Sequence, residues 1–419
     1  MTWERVNAER EEPISVDLAQ RRILSLVHPL PAHTVPLADA FGLALAADVR
    51  ATVPIPPFRN SAMDGYAVRA VDCADLPVTL RIVGQVAAGD WTEEDIGSGA
   101  TIRIMTGAPV PNGTDAVIPF ELVQAKADTL LVSSPVRPGA NIRLVGEDIE
   151  AGAIVATVGE VVSAALAGAL AAVGAAQVAV RRRPRVAILS TGDELVPPGT
   201  PLKPGKIWDA NAPMLAGLVR LAGGEPHSLG IAADVADDIR SRLTRAGTPD
   251  LYITSGGVSA GDFDMVKDVL RADGSVSVCQ VQMKPGRPLA IGTINEIPMI
   301  GLPGNPAAAY VSFLQFAWPA IRRLLGSARP SLDEIDAVLD APVSDRQGRR
   351  TFVRGVLESR GGRMTVTPAV RQGSAMIRGL VESNCLIVIP EGREHVSAGD
   401  LVSVQLLPDA RLSHSQRRT

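Results

Sequence analysis

Apolar positions change period several times along the chain. Val16, Ala19, Ile23 and Val27 recur at helical spacing and stop at Pro29 and Pro31, which predicts a helix over residues 15–28. A second helical patch is expected around Leu37–Val49. Val53–Phe58 is then proline-rich, and Arg59–Gly65 is polar and turn-prone. From Tyr66 to Val132 short strand-like runs recur (Thr79–Val83, Thr101–Met105, Ala116–Phe120, Thr129–Val132), broken by Gly and Pro as in a small all-β domain. Helical spacing returns at Val161–Val173, an Ala/Gly-rich stretch that needs a helical partner. Pairing it with the N-terminal helix predicts one discontinuous helical domain, 1–50 and 147–183, with a β domain, 51–146, inserted into it.

After the basic, hinge-like junction Arg181-Arg182-Arg183-Pro184, strands and helices alternate. Strands are predicted at Val186–Leu189, near His227–Gly230, at Leu251–Thr254, Val276–Val281, Leu289–Ile291 and Pro298–Gly301. Helices are predicted at Ala212–Leu221, Val235–Leu243 and Asp264–Leu270, with a last one from Asn305-Pro306 to about Leu325. That is a three-layer α/β domain with a mostly parallel sheet over 184–326. Beyond Gly326 only strand patterns follow (Ala337–Val343, Thr351–Leu357, Met364–Val370, Cys385–Ile389, Leu401–Leu406), which predicts a C-terminal β-barrel or sandwich over 327–408 and a polar tail, 409–419.

Composition narrows the class. At 419 residues the chain exceeds what one core usually fills, so roughly three or four domains are expected. Aromatic residues are 3% against 46% hydrophobic, so the cores must be aliphatic. A net charge of −4 argues against a general nucleic-acid binder. The three cysteines, Cys73, Cys279 and Cys385, fall in no metal or redox spacing. The charged N-terminus shows no secretory signal, and Ala153–Val180, interrupted by Glu160 and Gln177, reads as a buried helix rather than a membrane span. A soluble, cytoplasmic protein is expected.

Ligands of open α/β sheets sit at the carboxyl ends of the strands. Three such ends are unusual here: Ser190-Thr191-Gly192-Asp193-Glu194, the Ser255-Gly256-Gly257 loop running on to Asp264, and Leu302-Pro303-Gly304-Asn305-Pro306. Strand, glycine loop and helix aim free N–H groups at an anion. Asp262 and Asp264 sit where the next helix should begin, and either cap it or hold a hard cation against a phosphate. Met283-Lys284-Pro285-Gly286-Arg287-Pro288 holds two cations between prolines, as an anion clamp or as a solvated hairpin. Arg354 and Arg371-Gln372-Gly373-Ser374 stand at strand ends and either complete an oxyanion pocket or serve the fold. The acids Asp64, Asp148, Glu194, Asp234 and Asp264 all fall in loops or at helix starts, where caps and turns compete with metal-assisted phosphate chemistry.

Seven ordered motifs then carry a resemblance over roughly residues 10–408: PPFRNSAMDGYAVRA from Pro56, RIMTGAPVPNGTDAVIPFE, RPGANIRLVGEDI, RVAILSTGDEL, SGGVSAGDFD, MKPGRP and GLPGNPAAAY. The chain resembles the molybdopterin molybdenumtransferases of the MoeA type, the family that includes the E-domain of gephyrin. The resemblance implies a four-domain homodimer in which the partner subunit contributes to a cleft. Its reaction takes adenylylated molybdopterin and molybdate, with Mg²⁺, releases AMP and leaves molybdenum on the dithiolene. A molybdopterin adenylyltransferase and molybdoenzyme maturation proteins are candidate partners. Matching the motifs nominates Asp64, Thr106, Asp148, Glu194, Asp234 and Asp264 as polar active-site residues, with Glu194, Asp234 and Asp264 as Mg²⁺ ligands. Ser255, Gly256, Gly257, Lys284, Arg287, Pro303, Gly304, Pro306, Arg354 and Ser374 would form the substrate and anion site. Gln280 stands where many relatives carry lysine, and Arg287 replaces a frequent lysine. Two competing readings are an adenylyltransferase, whose fold resembles residues 184–326, and a non-catalytic scaffold.

Overall fold

The computed structural model describes residues 12–257, 274–345 and 347–409, and the backbone of 413–414. The central sheet runs in the order Glu225–Ala232, Arg185–Thr191, Leu251–Ser255, Ile297–Leu302, Pro288–Ile294, Gly274–Gln280. The first four strands are parallel, and Pro288–Ile294 runs antiparallel to both its neighbours, Ile297–Leu302 and Gly274–Gln280. Leu251–Ser255 is buried at all five positions, as a parallel strand covered on both faces requires. One face packs Leu215, Leu218 and Val219 of the Asn211–Leu221 helix together with Phe313, Phe316 and Ile321. The other packs Ile239 and Leu243 of the Ala236–Arg245 helix against Ala187, Leu189 and Tyr252. The sheet thus lies between two helical layers.

The helix begun by Pro306 has three parts: Pro306–Ser312, a π-helical stretch Phe313–Ala317, and Trp318–Leu324. Pro319 explains the interruption, because it has no N–H for the carbonyl four residues back. That carbonyl, on Gln315, instead accepts Gln20 Nε2 at 3.0 Å. Asn305 does not cap the helix with its side chain; its Nδ2 donates to Ser374 Oγ at 3.3 Å.

The N-terminal expectation needs correcting. Val16–Leu26 is a helix, capped by Ser15 Oγ accepting Leu18 N–H at 3.2 Å. However, Val16, Ala19, Ile23 and Val27 bury themselves in the α/β core, not against the Ala164–Ala172 helix. Leu37–Val49 is no helix: after a short 3₁₀ turn, Leu37–Asp39, the chain turns at Gly42 (φ +75°) and forms bridges from Ala44 to Val161 and Leu45 to Val180. Ala32–Pro36 pairs with Gln177–Arg181, and Val49–Arg50 with Ile154–Ala156. The region expected to be helical is mixed instead: the helix expected within Val161–Val173 is there as Ala164–Ala172, but Ala153–Val180 is not one buried helix, and four short strands share the region. Its strand partners lie more than a hundred residues away, which local spacing does not reveal. The two stretches do share a core, with Ala40, Leu43 and Leu45 against Val162, Leu170 and Val178. The basic junction is also pinned rather than hinge-like: Arg182 grips Asp250 with both guanidinium nitrogens at 2.6 and 2.7 Å, and Arg181 donates to the Leu30 carbonyl.

Between these stretches lies a six-stranded sheet, ordered Ala116–Pro119, Gly65–Val68, Ala100–Ile104, Val78–Val86, Thr129–Val132, Val123–Lys126. At the C-terminal end, Arg350–Arg360 pairs with both Arg363–Pro368 and Cys385–Ile389. Glu334–Leu339 and Leu401–Leu406 join the other edges and close a five-stranded barrel. Met283–Lys284 adds to it in parallel beside Arg350–Thr351, so the KPG loop is fastened to the barrel. Among the described residues no helix is long and apolar enough to cross a membrane.

Candidate active site

The sheet order reverses between Arg185–Thr191 and Leu251–Ser255, and a cleft of about 590 Å³ opens at their carboxyl ends. Glu194, Asp234, Ser255, Gly256, Gly257, Gly304 and Pro306 all line it. Each loop holds its place through backbone contacts. Gly192 has φ +146°, and a Cβ there would meet a Glu194 carboxylate oxygen at 2.5 Å, so the Glu194 side chain folds back over a glycine. Asp193 Oδ1 accepts the Asp234 N–H at 3.1 Å, tying the first strand end to the second. Gly256, with φ +93°, lies so close to Thr191 that a Cβ would meet its carbonyl oxygen at 2.4 Å. Its N–H donates to the Leu302 carbonyl at 3.1 Å. Glu194 and Asp234 therefore line one crevice. Asp262, Asp264 and the Asp264–Leu270 helix lie outside the described residues. No group of three His, Cys, Asp or Glu among the described residues could hold a metal ion. The carboxylates that line the cleft, Glu194, Asp209 and Asp234, are of the hard oxygen type that Mg²⁺ takes.

A second cavity of about 380 Å³ adjoins the cleft at Gly304 and Asn305, lined by Lys284, Pro303, Gln372, Gly373 and Ser374 among others. Lys284 Nζ lies 3.3 Å from Asp345 Oδ1. Burial opposes ionisation of Asp345, but Lys284, Arg349 and a Thr351 hydrogen bond outweigh it and hold the carboxyl below its usual value. Ser374 is docked on the helix start, its carbonyl accepting Ala307 N–H at 2.9 Å. Arg287 is exposed and lines neither cavity, so only one of the two expected loop cations faces the site.

Two of the three guanidinium nitrogens of Arg354 serve the fold, and Nη1 is left without a partner. The side chain is fully buried, and Nε and Nη2 donate to the Arg371 carbonyl at 3.2 and 2.7 Å, with Nη2 also reaching the Gly373 carbonyl at 3.1 Å. Gln372 completes the clasp, its Nε2 donating to the Arg354 carbonyl at 2.8 Å. Arg354 thus holds the loop that presents Ser374.

Asp64 and Thr106 come together in the inserted β sheet. Asp64 Oδ1 accepts the Thr106 N–H at 2.7 Å and its hydroxyl at 2.8 Å. These two bonds, backbone first, lower the Asp64 pKa below its usual value. Asp148 is exposed, its N–H donating to the Ile55 carbonyl at 2.9 Å. Asp64, Thr106 and Asp148 line neither the cleft nor the adjoining cavity.

Sequence reasoning missed Trp208, Asp209 and Asn211, which line the cleft. Asp209 is buried, and its Oδ1 accepts the Asn211 and Ala212 N–H groups, both at 3.0 Å. The signal available was an acid three residues before the predicted helix at Ala212, a capping pattern.

A cleft at the switch point of a largely parallel sheet, in a chain that also carries a β module and a barrel, defines a multidomain α/β protein with a ligand-sized site. Residues 187–323 match the family model described as "Probable molybdopterin binding domain", residues 14–174 that of the MoeA N-terminal region (domain I and II), and residues 336–407 that of the MoeA C-terminal region (domain IV). Molybdopterin molybdenumtransferase 2 of Mycobacterium tuberculosis is 39% identical, covering 93% of this chain and 98% of that protein. The Haemophilus influenzae molybdopterin molybdenumtransferase is 36% identical, over 94% and 98%. The crystal structure of the molybdopterin biosynthesis MoeA protein of Pyrococcus horikoshii superposes with a TM-score of 0.78 at 32% identity, covering 94% of this chain and 99% of that one. The chain belongs to the molybdopterin molybdenumtransferase (MoeA) family, transferases of molybdenum cofactor biosynthesis.

Proposed function

We propose that this protein inserts molybdenum into adenylylated molybdopterin, using molybdate and Mg²⁺ and releasing AMP. The observation that carries the reading is the joining of two unlike surfaces: Glu194 and Asp234 line a cleft that runs on, past Gly304 and Asn305, into the cavity of Lys284 and Ser374. Glu194 and Asp234, with Asp264 from the same motif set, would hold Mg²⁺, which supplies charge neutralisation at the pyrophosphate. Glycines 256, 257 and 304 let the phosphates approach backbone closely. Lys284 and the Ser374 hydroxyl receive the molybdate oxygens, and Arg354 keeps the Ser374 loop in place. Pro303 and Pro306 fix the turn between the two cavities.

Asp64, Thr106 and Asp148 belong to the same chemistry through a second copy of the chain, which is why a homodimer is part of this reading. It is supported by their separation from the cavities of their own chain.

The test is direct. Purified protein given adenylylated molybdopterin, molybdate and Mg²⁺ is assayed for AMP release and for molybdenum bound to molybdopterin. Both are expected, and both are expected to depend on molybdate and Mg²⁺. Adenylylation of molybdopterin from ATP by this chain alone would instead favour the adenylyltransferase reading, and neither activity would favour the scaffold.

A further inference from the structure

Lys284 is the one cation among the described residues that line the cavity beside Ser374, and its side chain is 49% exposed. Such an ammonium moves freely on a four-carbon stem, and fixing it on an anion costs rotamer freedom. The fold removes part of that freedom beforehand. Lys284 Nζ lies 3.3 Å from Asp345 Oδ1, on a side chain only 5% exposed. Asp345 is held in turn: Thr351 Oγ1 donates to its Oδ2 at 3.2 Å, and its N–H donates to the Glu394 carbonyl at 2.9 Å. Thr351 also stands opposite Lys284 where Met283–Lys284 runs beside Arg350–Thr351. One residue thus fixes both the lysine backbone and the carboxylate that meets its head.

Asp345 itself borders neither the cleft nor the adjoining cavity. A carboxylate near an anion site is unwelcome by charge, because it repels the anion. Here a second cation offsets it. Arg349 Nε lies 3.6 Å from Asp345 Oδ2, so two cations share one carboxylate and the cluster stays net positive. Asp345 can therefore orient Lys284 without cancelling its charge.

We propose that Asp345 is a positioning residue for the anion cavity: it holds the Lys284 ammonium where an oxyanion bound beside Ser374 meets it. The inference rests on the proposed function, in which that oxyanion is molybdate. It extends the site to a side chain of the barrel that touches no substrate and lies in none of the seven motifs.

Asp345→Asn is the informative change, because it keeps the size of the side chain and an oxygen for Thr351 while removing the charge. Charge and positioning predict opposite signs. If Asp345 only adds negative charge, its loss strengthens anion binding. If it holds Lys284, its loss weakens binding about ten-fold, the difference between a charge-assisted and a neutral contact. Molybdate binding to the full-length chain is read by equilibrium dialysis, and the KM for molybdate by AMP release from adenylylated molybdopterin with Mg²⁺. The Kd and the KM for molybdate should both rise about ten-fold, with kcat and the KM for adenylylated molybdopterin within about two-fold of the unaltered values. A merely structural loss lowers kcat and leaves the molybdate KM alone. In a Lys284→Met background, Asp345→Asn should weaken molybdate binding no further. Asp340→Asn, at the barrel's ion pair with Arg360, should change nothing in molybdate binding. Should Asp345→Asn fail to fold, the same comparison is made with Thr351→Val, alone and with Lys284→Met, and a two- to three-fold rise in the molybdate KM is expected from Thr351→Val alone. Molybdate bound as tightly or more tightly, a lowered kcat at unchanged KM, an equal effect without Lys284, or no molybdate binding by the unaltered chain overturns the positioning role. Dialysis needs no turnover, so the two readings separate. Weakened molybdate binding in Asp345→Asn upholds the positioning role even where the unaltered chain releases no AMP, a result that counts against the function. Normal AMP release with an unchanged molybdate KM in Asp345→Asn removes the positioning role and leaves the function standing.

Discussion

The α/β cleft and the Asp64–Thr106 pair carry the same kind of side chain in opposite settings. Glu194 and Asp234 stand at the ends of neighbouring parallel strands, faced by glycine loops and joined to a cation-bearing cavity, all within one chain. Asp64 is exposed and held by two short bonds from Thr106, and it borders neither cavity. On the proposed dimer reading, the cleft is a container and this pair, which borders neither of the two cavities, is another chain's contribution to one.

The largest effect is expected at the container. Glu194→Ala or Asp234→Asn should lower AMP release about a hundred- to thousand-fold, the scale of losing a charge-stabilising group in an enclosed site. Normal release by either variant would remove that residue from the mechanism. Next comes the clasp. Arg354→Met leaves the Arg371 and Gly373 carbonyls without their donors and should cost about 2–3 kcal/mol in urea unfolding, with molybdate dependence weakened. Unchanged stability would return Arg354 to the role of a direct anion ligand.

Gly304→Ala separates fold from function. A Cβ there would meet nothing nearer than the Gly256 Cα at 3.5 Å, so the variant should fold normally while its KM for the adenylylated substrate rises several-fold through a lost close approach. Gly256→Ala, by contrast, meets the Thr191 carbonyl at 2.4 Å and should destabilise the protein. Equal behaviour of the two would show that Gly304 is not there for a ligand.

Smaller still is the pH effect of Asp345. Its folded pKa lies below the unfolded 3.8, so its stabilising contribution is complete above that value and is lost as the pH falls through the depressed one. Acid unfolding below about pH 4 should be shallower in Asp345→Asn, followed by near-ultraviolet circular dichroism. Least of all, Thr106→Val keeps the backbone bond to Asp64 and should reduce activity only a few-fold.

Much of the fold was legible because its signals are local. Leu251–Ser255 reads as a buried strand from its own residues, and Asn305-Pro306 announces a helix start. The C-terminal strands are also visible, though their closure into a barrel depends on the pairing of Arg350–Arg360 with two partners at once. Leu37–Val49 misled because its apolar spacing serves pairings with Val161 and Val180, far along the chain. Likewise the Val16–Val27 stripe shows that a face is buried but not against what. At the site, glycine loops and acids at strand ends identify Glu194, Asp234 and Gly256. Burial decides the rest: nothing in the sequence distinguishes Arg354, locked on carbonyls, from Lys284, which lines a cavity.

The division of labour between the two regions can be tested by mixing inactive variants. Asp64→Ala and Glu194→Ala proteins, unfolded together and refolded as a mixture, are assayed for AMP release with adenylylated molybdopterin, molybdate and Mg²⁺. If each site takes Asp64 from one chain and Glu194 from the other, half the dimers are mixed and one of their two sites is intact, so activity should return to roughly a quarter of the unaltered level. A mixture as inactive as either variant alone would mean that both residues act within a single chain, and the contrast between container and contribution would not hold.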